Sequence, residues 1–555
     1  MGGYYNEGVL YEWDEDRDMA LLDKYKAWIC DRKETVRCFT PFDLWMIQHN
    51  YDNHGIPYGA NYFSDPDTNG CDWRLKDGWL YVTSIPTSEE EKKERAPRMK
   101  ERIAPWIEDF GREYQKGVDE LMERHRRLAD IDMEKLADWE LKDAFNEWTQ
   151  IYRREANLHF VWMHGYCLIY AMFEEMCKEV AGIDRNDRLF NDLMAGFDHK
   201  MIETDRRLFA LGKEAKEAGL EPLFNKIEDD EELLSKLDGD EQGKEWIQRF
   251  RGFLNEFGWR TIGNWDASNP TWVEKPSMVV PTIRRYMAQD SFAVDEARQG
   301  LIKAREKAEK EVLSRVPEGR REEFTKLMRS AQWAGVVAEE HVFYAENWGE
   351  GLGRHVTREI GKRFAKAGTL DDPQDIYYML PEEIDPRIIN KYPAKKMVKE
   401  RKKQHIAFRA EEPEPFIGDP SQIPEVIGNN PILRTAIAPN PRVRPELKAD
   451  LYGTVSTPGV VEGVVNLIMS EDDFDKFEPG SILVTIETSA TWTPLFNTAK
   501  AVVTDVGGIL SHSAVLGREY GLTVISGTIE GTKTLKTGMK VKVDGNAGAI
   551  YILDK

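Results

Sequence analysis

The chain has 555 residues, more than a single hydrophobic core usually supports, so two to four domains are expected. Hydrophobic residues make up 41% and charged residues 31%, a balance typical of a globular protein, and 98 acidic against 76 basic side chains give a net charge of -22. This acidity argues against a protein that binds nucleic acid or anionic membranes.

The cysteines and the apolar runs indicate a compartment. Five cysteines are odd in number and lack the paired spacing of a zinc site, so we interpret them as reduced thiols. Residues 1–7 have neither the basic nor the apolar region of a signal peptide. The longest apolar run, residues 160–173, is too short to span a bilayer. We therefore expect a cytoplasmic protein without a membrane partner.

The first 410 residues predict a mainly helical domain with a mixed α+β start over residues 1–95. Residues 21–30 have helical composition, and Asp77-Gly78 lies between two alternating segments, which is the strongest short hairpin signal. From residue 99 to about residue 180, few glycines or prolines interrupt apolar residues at helical spacing. Several long helices are expected there and beyond.

Residues 411–445 contain eight prolines and no sustained periodicity. Such a segment does not hold a regular helix or a central strand, which favours an extended linker. Its 35 residues would span on the order of 100 Å if fully stretched, at roughly 3.3 Å per residue. A proline-rich strap packed along a domain surface fits the same composition, and the sequence leaves both interpretations open.

After residue 445 the pattern changes to short apolar runs with a period of two, which predicts a compact α/β domain over residues 446–555. The predicted strands are residues 459–469, 481–485, 501–504, 522–525 and 539–543. The helices predicted between them are residues 471–477, 494–499 and 511–520.

One loop of this domain joins a buried strand to a helix. Gly507 and Gly508 make the turn, and His512 follows Ser511 in the first turn of the predicted helix. Backbone N–H groups and the positive end of the helix dipole favour an anion at such a place, and the same field favours neutral imidazole over imidazolium. Because a neutral ring nitrogen can attack phosphorus, the loop is suited to hold a phosphoryl group.

Several stretches of the C-terminal domain follow one another in a recognisable order: residues 459–463, 479–484, 491–494, 501–504, 507–512, 518–521, 524–527 and 543–548. With these stretches the domain resembles the phosphohistidine swivelling domain of the phosphoenolpyruvate-utilising enzymes. The resemblance implies that His512 is phosphorylated on a ring nitrogen and that Arg518, on the same helix, is a phosphate partner. It assigns phosphate binding or support of the loop to Gly507, Gly508 and Ser511.

The helical region carries a looser resemblance over residues 196–209, 257–276, 340–353 and 368–383. It is similar to the substrate-binding portion of rifampin phosphotransferase and of the large subunit of phenylphosphate synthase. In phenylphosphate synthase the ATP-binding subunit is a separate polypeptide, and this sequence shows no glycine-rich ATP-grasp region. The resemblance therefore implies that ATP and Mg²⁺ are bound by a separate ATP-grasp subunit.

The reaction implied by the resemblance is of the dikinase type. ATP would phosphorylate His512, with AMP and phosphate released overall, and the swivelling domain would carry the phosphoryl group to a phenol-type aromatic hydroxyl. The chain is then a phosphotransferase subunit. Two other classes stay open: a condensing ligase that activates one substrate by phosphorylation, and a non-catalytic phosphocarrier or regulatory subunit.

The acceptor site has candidates in the helical region but no sharp motif. Since a phenol titrates near pH 10, a neutral imidazole or a carboxylate would suffice as the base. A histidine on an apolar helix face is more often a satisfied core residue than a base, and an arginine beside an aromatic loop serves equally as a surface charge. The sequence identifies no metal ligands. The candidates for the base or for substrate contacts are His159, His164, His199, His341, Glu340, Arg260 and Trp265.

Overall fold

The computed structural model describes residues 12–31, 38–185, 187–261, 266–428, 430–433, 445–488 and 492–554. Within these ranges the structure has a large, mainly helical region and a C-terminal domain that is built on one sheet. Among the described residues, no helix combines the length and the hydropathy that crossing a bilayer requires.

The α-helices are α1 (Glu15–Asp18), α2 (Leu21–Tyr25), α3 (Pro41–Leu44), α4 (Ile56–Phe63), α5 (Glu89–Glu108), α6 (Phe110–Ala129), α7 (Asp138–Ala181), α8 (Arg188–Leu193), α9 (Lys200–Glu217), α10 (Glu221–Lys226), α11 (Asp230–Gly239), α12 (Glu241–Phe257), α13 (Val280–Met287), α14 (Ala293–Arg315), α15 (Arg321–Val342), α16 (Trp348–Lys366), α17 (Pro381–Asn390), α18 (Lys395–Arg409), α19 (Ile423–Gly428), α20 (Thr493–Phe496), α21 (His512–Glu519) and α22 (Gly531–Thr534). The strands are β1 (Ala27–Cys30), β2 (Thr68–Lys76), β3 (Trp79–Pro86), β4 (Phe416–Gly418), β5 (Leu451–Tyr452), β6 (Thr454–Thr457), β7 (Val460–Leu467), β8 (Ile482–Thr485), β9 (Ala501–Thr504), β10 (Thr523–Ser526), β11 (Lys540–Asp544) and β12 (Ala549–Ile552). π-Helical segments occupy Trp45–Gly55 and Phe343–Asn347. Short 3₁₀ turns lie at Met133–Lys135, Pro276–Val279, Glu318–Arg320, Pro373–Tyr378, Pro420–Gln422, Pro445–Leu447 and Glu471–Lys476.

A four-stranded sheet with the order β2-β3-β1-β4 forms the start of the chain. The predicted hairpin is confirmed: Asp77 and Gly78 join β2 to β3 with φ angles of 52° and 81°. The helix expected over residues 21–30 is correct only for α2. Lys26 takes a φ of 67°, which ends the helix, and β1 then pairs with β3 on one side and β4 on the other.

Part of the proline-rich segment belongs to this sheet, because β4 lies within residues 411–445 and pairs antiparallel with β1. The amide of Cys30 also donates to the carbonyl oxygen of Pro415 at 3.0 Å. Farther along, the side-chain amide of Asn430 donates to the carbonyl oxygen of Gly70 at 3.3 Å. The described part of the segment is therefore a strap on the first sheet, while residues 429 and 434–444 lie outside the described residues.

Helix α7 is the centre of the helical region, and α4, α15 and α16 all pack against it. Its Trp148 side chain is fully buried, and Nε1 donates to the carbonyl oxygen of Gly349 in α16 at 3.0 Å. Gly353, four residues later, lies against the Trp148 ring, where a Cβ atom would come within 2.5 Å of it. Glycine at these positions lets α16 approach α7 closely.

The two π-helical segments both border α7. Helix α15, the segment Phe343–Asn347 and α16 follow one another without a break from residue 321 to residue 366. A π-helical turn widens the spacing of side chains along the helix and is frequent at functional sites. In this protein the turns direct polar side chains, Tyr51 and Glu346, toward α7.

The C-terminal sheet has the order β5-β12-β11-β7-β8-β9-β10-β6. Its central strands β7, β8, β9 and β10 are parallel neighbours, and the outer strands pair antiparallel. The two edge strands, β5 and β6, are separated only by Gly453, so the sheet must curl until its edges meet in a barrel-like form. The five predicted strands correspond to β7–β11 and are confirmed, whereas the short strands β5, β6 and β12 carried too little pattern to be predicted.

We expect Gly353→Ala to destabilise the helical region by about 1–3 kcal/mol, because the added methyl group overlaps the buried Trp148 ring. Thermal unfolding followed by circular dichroism measures the change. Gly252→Ala is the matched control: this glycine is exposed in α12 with open space around it, so alanine should stabilise the helix by about 0.5–1 kcal/mol. Equal melting temperatures for the two variants would contradict the packing described for α7 and α16.

Candidate active site

The histidine loop has the predicted form. Gly507 follows β9 with a φ of 101°, a conformation that favours glycine, and a Cβ atom there would lie 2.8 Å from Ser511 Cβ. Ser511 is the N-cap residue of α21, and its hydroxyl donates to the carbonyl oxygen of Gly508 at 2.8 Å. His512 is the first residue of α21, so its backbone lies at the positive end of the helix dipole.

The His512 ring makes contacts on both of its nitrogens. Nδ1 lies 2.9 Å from the hydroxyl of Thr488 in the same domain, and Nε2 lies 3.8 Å from a carboxylate oxygen of Glu339 in α15. A proton on Nδ1 suits the contact with Thr488 and directs the lone pair of Nε2 at the helical region. The ring is only 14% exposed, so the C-terminal domain is docked with its histidine facing the helical region.

Glu519, at the end of α21, forms one docking contact. Its Oε2 accepts hydrogen bonds from the amides of Gly196 and Phe197 at 2.9 and 2.8 Å. Burial raises the pKa of Glu519 to about 8, although the Arg518 charge and the two amides oppose the shift. The helical region therefore holds this carboxyl group out of water.

Tyr520 forms a second docking contact, because its hydroxyl donates to Oδ2 of Asp205 in α9 at 2.7 Å. Asn497 donates from its side-chain amide to the hydroxyl of Tyr286 at 2.7 Å nearby. Burial raises the pKa of Asp205 to about 6, while hydrogen bonds from Tyr520 and Tyr286 and the charge of Arg260 oppose the shift. Two buried carboxyl groups thus lie at the contact between the domains.

A cluster of three side chains lies inside the helical region, next to the residues that meet His512. Nδ1 of His159 in α7 lies 3.5 Å from Oε1 of Glu346, and Nε2 of His341 in α15 lies 4.0 Å from the same oxygen. All three side chains are buried, and their potential ligand atoms lie within 4.8 Å of one another. This arrangement has the composition of a metal site.

Further carboxylates surround the cluster. Glu155 of α7 is fully buried and accepts hydrogen bonds from the Tyr51 hydroxyl at 2.8 Å and from Nε2 of His125 at 3.1 Å. Burial raises the pKa of Glu155 well above its usual value, the hydrogen bond from Tyr51 opposes the shift, and the charges of Glu350 and Glu346 add to it. The core of the helical region is therefore rich in buried acidic groups.

Two of the predicted histidines lie elsewhere. Nε2 of His164 is 3.0 Å from Oδ2 of Asp65, and both side chains are buried, so His164 is a core histidine paired with Asp65. His199 is buried at the N-cap position of α9. Burial lowers its pKa to about 3, and the charges of Arg298 and Arg206 lower it further, so it stays neutral.

Arg260 is only 2% exposed, which excludes the interpretation as a surface charge. Its Nη2 donates to the hydroxyl of Thr204 at 3.2 Å, and its guanidinium lies 4.7 Å from the centroid of the Trp272 ring. Arg260 thus supports the Asp205 side of the docking contact. Trp265 lies outside the described residues.

Arg518 holds the loop that precedes the histidine, because its Nη2 donates to the carbonyl oxygen of Ile509 at 3.1 Å. Six residues along a helix correspond to a rotation of about 240° from His512, so the two side chains leave α21 in different directions. In the docked arrangement, the guanidinium therefore positions the backbone of the loop.

Glu340 was the carboxylate chosen from the sequence, but its neighbour Glu339 is the one that meets His512. Burial raises the pKa of Glu340 to about 7; the charge of Lys200 opposes this shift, whereas those of Glu203 and Asp198 add to it. Glu340 thus interacts with α9. The acidic pair inside an apolar helix was the available signal, although the sequence did not show which member faces the histidine.

Thr488 and Glu346 were also missed. Thr488 precedes His512 by 24 residues and reaches it only because β8 and β9 are neighbours in the sheet. Glu346 follows His341 by five residues. Residues at this spacing do not share a face in an α-helix, and the two side chains meet here because of the π-helical turn.

Comparisons with known proteins match two separate parts of the chain. Residues 159–337 match the model of the rifampicin phosphotransferase fourth domain, and residues 477–548 match that of the PEP-utilising enzyme mobile domain. A glycine loop with a histidine at a helix N-terminus, on a curled sheet docked against helices, is thus a mobile domain of the PEP-utilising type. The two matches together support a relationship of this chain to the PEP-utilising enzyme family.

Individual relatives cover different parts of the chain. It is 26% identical to an uncharacterised phosphotransferase, YvkC, of Bacillus subtilis over 74% of this chain and 49% of the relative. It is 31% identical to rifampicin phosphotransferase of Streptomyces sviceus over 59% of this chain and 36% of the relative. Phosphoenolpyruvate synthase of Pyrococcus furiosus is 43% identical over 19% of this chain and 13% of the relative. The chain thus spans about half or less of the length of these relatives.

We expect the docking of the mobile domain to weaken as the pH rises from about 4.5 to about 8. The pKa of Glu519 is raised in the docked state, so docking is most favourable below its ordinary pKa of 4.5 and loses that stability as the pH rises through about 8; Asp205 acts in the same sense up to about 6. Small-angle X-ray scattering across this range should show the radius of gyration increasing.

The double variant Asp205→Asn, Glu519→Gln is the control, since neither replacement ionises and each keeps an oxygen acceptor. Its radius of gyration should stay constant over the same pH range. Tighter docking of the unmodified protein at higher pH would contradict the role given to the two buried carboxyl groups.

Proposed function

We propose that this chain transfers a phosphoryl group from His512 to a hydroxyl group of an acceptor bound in the helical region. The observation that carries the proposal is the position of His512, whose Nε2 lies 3.8 Å from the buried carboxylate of Glu339 across the domain contact. The opposite ring nitrogen is held by Thr488 at 2.9 Å, which orients Nε2 toward the acceptor side. Relatives named as phosphotransferases support the reaction class.

The transfer step requires one bond to break and one to form. The N–P bond at Nε2 of His512 breaks, and its electron pair returns to the imidazole ring. The acceptor oxygen forms the new O–P bond, and its proton passes to the carboxylate of Glu339. Phosphoryl transfer depends mainly on positioning and on charge stabilisation, which a closed contact between two domains provides by excluding water.

The distance between the two groups also indicates how the domain moves. A phosphoryl group on Nε2 and an acceptor oxygen do not both fit within the 3.8 Å that separates the ring from Glu339. The phosphorylated domain therefore docks a few ångströms farther from the helical region. This extra separation is about the length of a P–O bond plus a van der Waals contact, and the domain closes the gap after transfer. The described arrangement corresponds to the state after the phosphoryl group has left.

The acceptor we propose is a phenol-type aromatic alcohol. Aromatic rings flank the two cluster histidines: Tyr51 and Phe160 lie 4.8 and 4.7 Å from His159, and Tyr166 lies 5.6 Å from His341, between ring centroids. Apolar rings around a few polar groups are typical of sites for small organic ligands. An aromatic alcohol combines the flat apolar surface and the single hydroxyl that such a site would bind.

The phosphoryl donor we propose is ATP with Mg²⁺, bound by a separate ATP-grasp subunit, with AMP and phosphate released overall. This part of the proposal rests on the resemblance to the dikinases and on the family match of residues 477–548. In the donor half-reaction the mobile domain leaves the helical region and presents His512 to the nucleotide.

We expect His512→Ala to abolish labelling of the protein by ATP labelled in its β- and γ-phosphates, when an ATP-grasp subunit and Mg²⁺ are supplied. We expect Glu339→Gln to become labelled like the unmodified protein but to transfer the label to a phenol about 10²–10⁴ times more slowly, because it lacks the base. Acid-labile radioactivity on the protein and aryl phosphate in solution are measured separately in single turnovers.

Glu340→Gln is the matched control, since this neighbouring carboxyl group interacts with α9 and should leave the transfer rate unchanged. Aryl phosphate formation by His512→Ala would refute the carrier role of the histidine. A Glu339→Gln protein that transfers at the unmodified rate would show that another group accepts the proton.

A further inference from the structure

We propose that His159, His341 and Glu346 bind a divalent transition-metal ion inside the helical region. The three side chains come from α7, from the end of α15 and from the π-helical segment that follows it. They are buried, and they offer two imidazole nitrogens and one carboxylate oxygen within 4.8 Å of one another. This site would belong to the acceptor half of the protein, apart from any Mg²⁺ that accompanies ATP.

The distances are close to those of a metal-bound set. Ligand atoms at about 2.1 Å from one ion lie roughly 3.0–3.4 Å apart in tetrahedral or octahedral geometry. The atoms of His159 and Glu346 are 3.5 Å apart, and those of His341 and Glu346 are 4.0 Å apart. Side-chain movements on the order of 1 Å would therefore complete the coordination, without a change in the helices.

One ligand is already oriented by a backbone contact. Nδ1 of His341 lies 2.6 Å from the carbonyl oxygen of Val337, one turn earlier in α15, so Nδ1 carries the proton and donates it there. Nε2 then keeps its lone pair on the side of Glu346. A histidine ligand commonly donates its second ring N–H to a carbonyl or carboxylate in this way, which fixes its tautomer and its direction.

The π-helical segment supplies the third ligand. Residues five apart share a face in a π-helix but not in an α-helix, and this widened turn brings Glu346 below His341. An undistorted α-helix through residues 343–347 would direct Glu346 elsewhere. The interruption of a long helix at this position is thus accounted for by the geometry of the site.

The charges around the site also favour a cation. Glu155 is fully buried, and the charges of Glu350 and Glu346 act on it directly. Glu339 adds another buried carboxylate at the contact with His512. A phosphoryl group brings further negative charge to this region, and repulsion between buried charges is strong because the interior screens poorly. A divalent ion would offset the negative charge of the buried carboxylates and that of the phosphoryl group.

The donor set selects the class of ion. Two imidazoles with one carboxylate suit Zn²⁺, Mn²⁺, Fe²⁺ and Co²⁺, whereas Mg²⁺ prefers oxygen ligands and retains its waters. Three protein ligands leave at least one position open in a catalytic metal site. This step rests on the function proposed above: the open position would bind the acceptor oxygen, and the ion would polarise the hydroxyl and lower its pKa before transfer.

The first test measures binding alone, with protein freed of metal by EDTA and then titrated with Zn²⁺ or Mn²⁺ in a calorimeter. We expect one high-affinity site per chain for Zn²⁺, and no comparable binding of Mg²⁺. His159→Ala, His341→Ala and Glu346→Gln should each weaken binding at least about 100-fold, since even residues that only support metal ligands contribute 10- to 100-fold. Circular dichroism verifies that each variant is folded.

His54→Ala is the matched control, because His54 is exposed and lies outside the cluster, so its removal should leave the high-affinity site unchanged. X-ray absorption at the zinc edge gives a second readout, and it should show two imidazole nitrogens and at least one oxygen. Retention of the site in both His159→Ala and His341→Ala would overturn the proposal, and so would a zinc spectrum without imidazole scattering. Both criteria apply even if the Glu346 variant fails to fold.

The experiments distinguish failure of the metal-site proposal from failure of the transfer function. His512→Ala cannot carry a phosphoryl group but should bind Zn²⁺ with unchanged affinity, because His512 is not among the ligands. A protein that binds the ion and transfers no phosphoryl group would refute the function and keep the site. A protein that transfers at full rate after complete removal of the ion would refute the role of the ion in the reaction.

Discussion

The contact between His512 and the buried carboxylate of Glu339 is the interaction on which the arrangement of the two domains and the proposed transfer both depend. It joins two domains that are far apart in sequence, and it exists only because the mobile domain is docked on the helical region. The docking contacts of Glu519 and Tyr520 come from the same short helix as His512 or from the residue after it. Docking and alignment of the histidine are therefore one event.

The cost of that arrangement is the burial of carboxyl groups. Burial raises the pKa values of Glu519 and Asp205, and both carboxyl groups lie at the domain contact. Glu155 has a raised pKa inside the helical region for the same reason. Buried charges need partners, and this protein supplies them with backbone amides, tyrosine hydroxyls and histidines. A contact so rich in polar groups leaves both surfaces compatible with water, as the repeated docking proposed for this domain would require.

The sequence predicted the C-terminal domain better than the helical region, for physical reasons. Strands β7–β11 and the helix that begins at His512 follow from local patterns of period two, from a glycine pair and from an N-cap serine. The local composition of β1 predicted a helix. The segment is a strand because pairing with β3 and β4 outweighs that local preference. Strand β4 lies in a proline-rich segment and forms only through a partner almost 400 residues earlier.

The acceptor side shows where local patterns stop being informative. His159 and His341 were among the candidates, but they lie close to Glu346 because of a π-helical turn that no local sequence pattern predicted. His164 had the same local setting as His159 and is a core histidine paired with Asp65. The choice between Glu339 and Glu340 depended on the rotation of one helix, which tertiary packing sets.

Transfer from His512 is tested most directly by following the phosphoryl group after it has been placed on the protein chemically. Phosphoramidate phosphorylates histidine without any nucleotide or partner subunit, and ³¹P nuclear magnetic resonance distinguishes phosphohistidine from phosphate esters. We expect a signal from phosphorylated Nε2 of His512, absent in His512→Ala, that converts to an aryl phosphate when a suitable phenol is added. A phosphohistidine signal that decays only to inorganic phosphate, at the same rate with and without a broad panel of phenols and other alcohols, would contradict it.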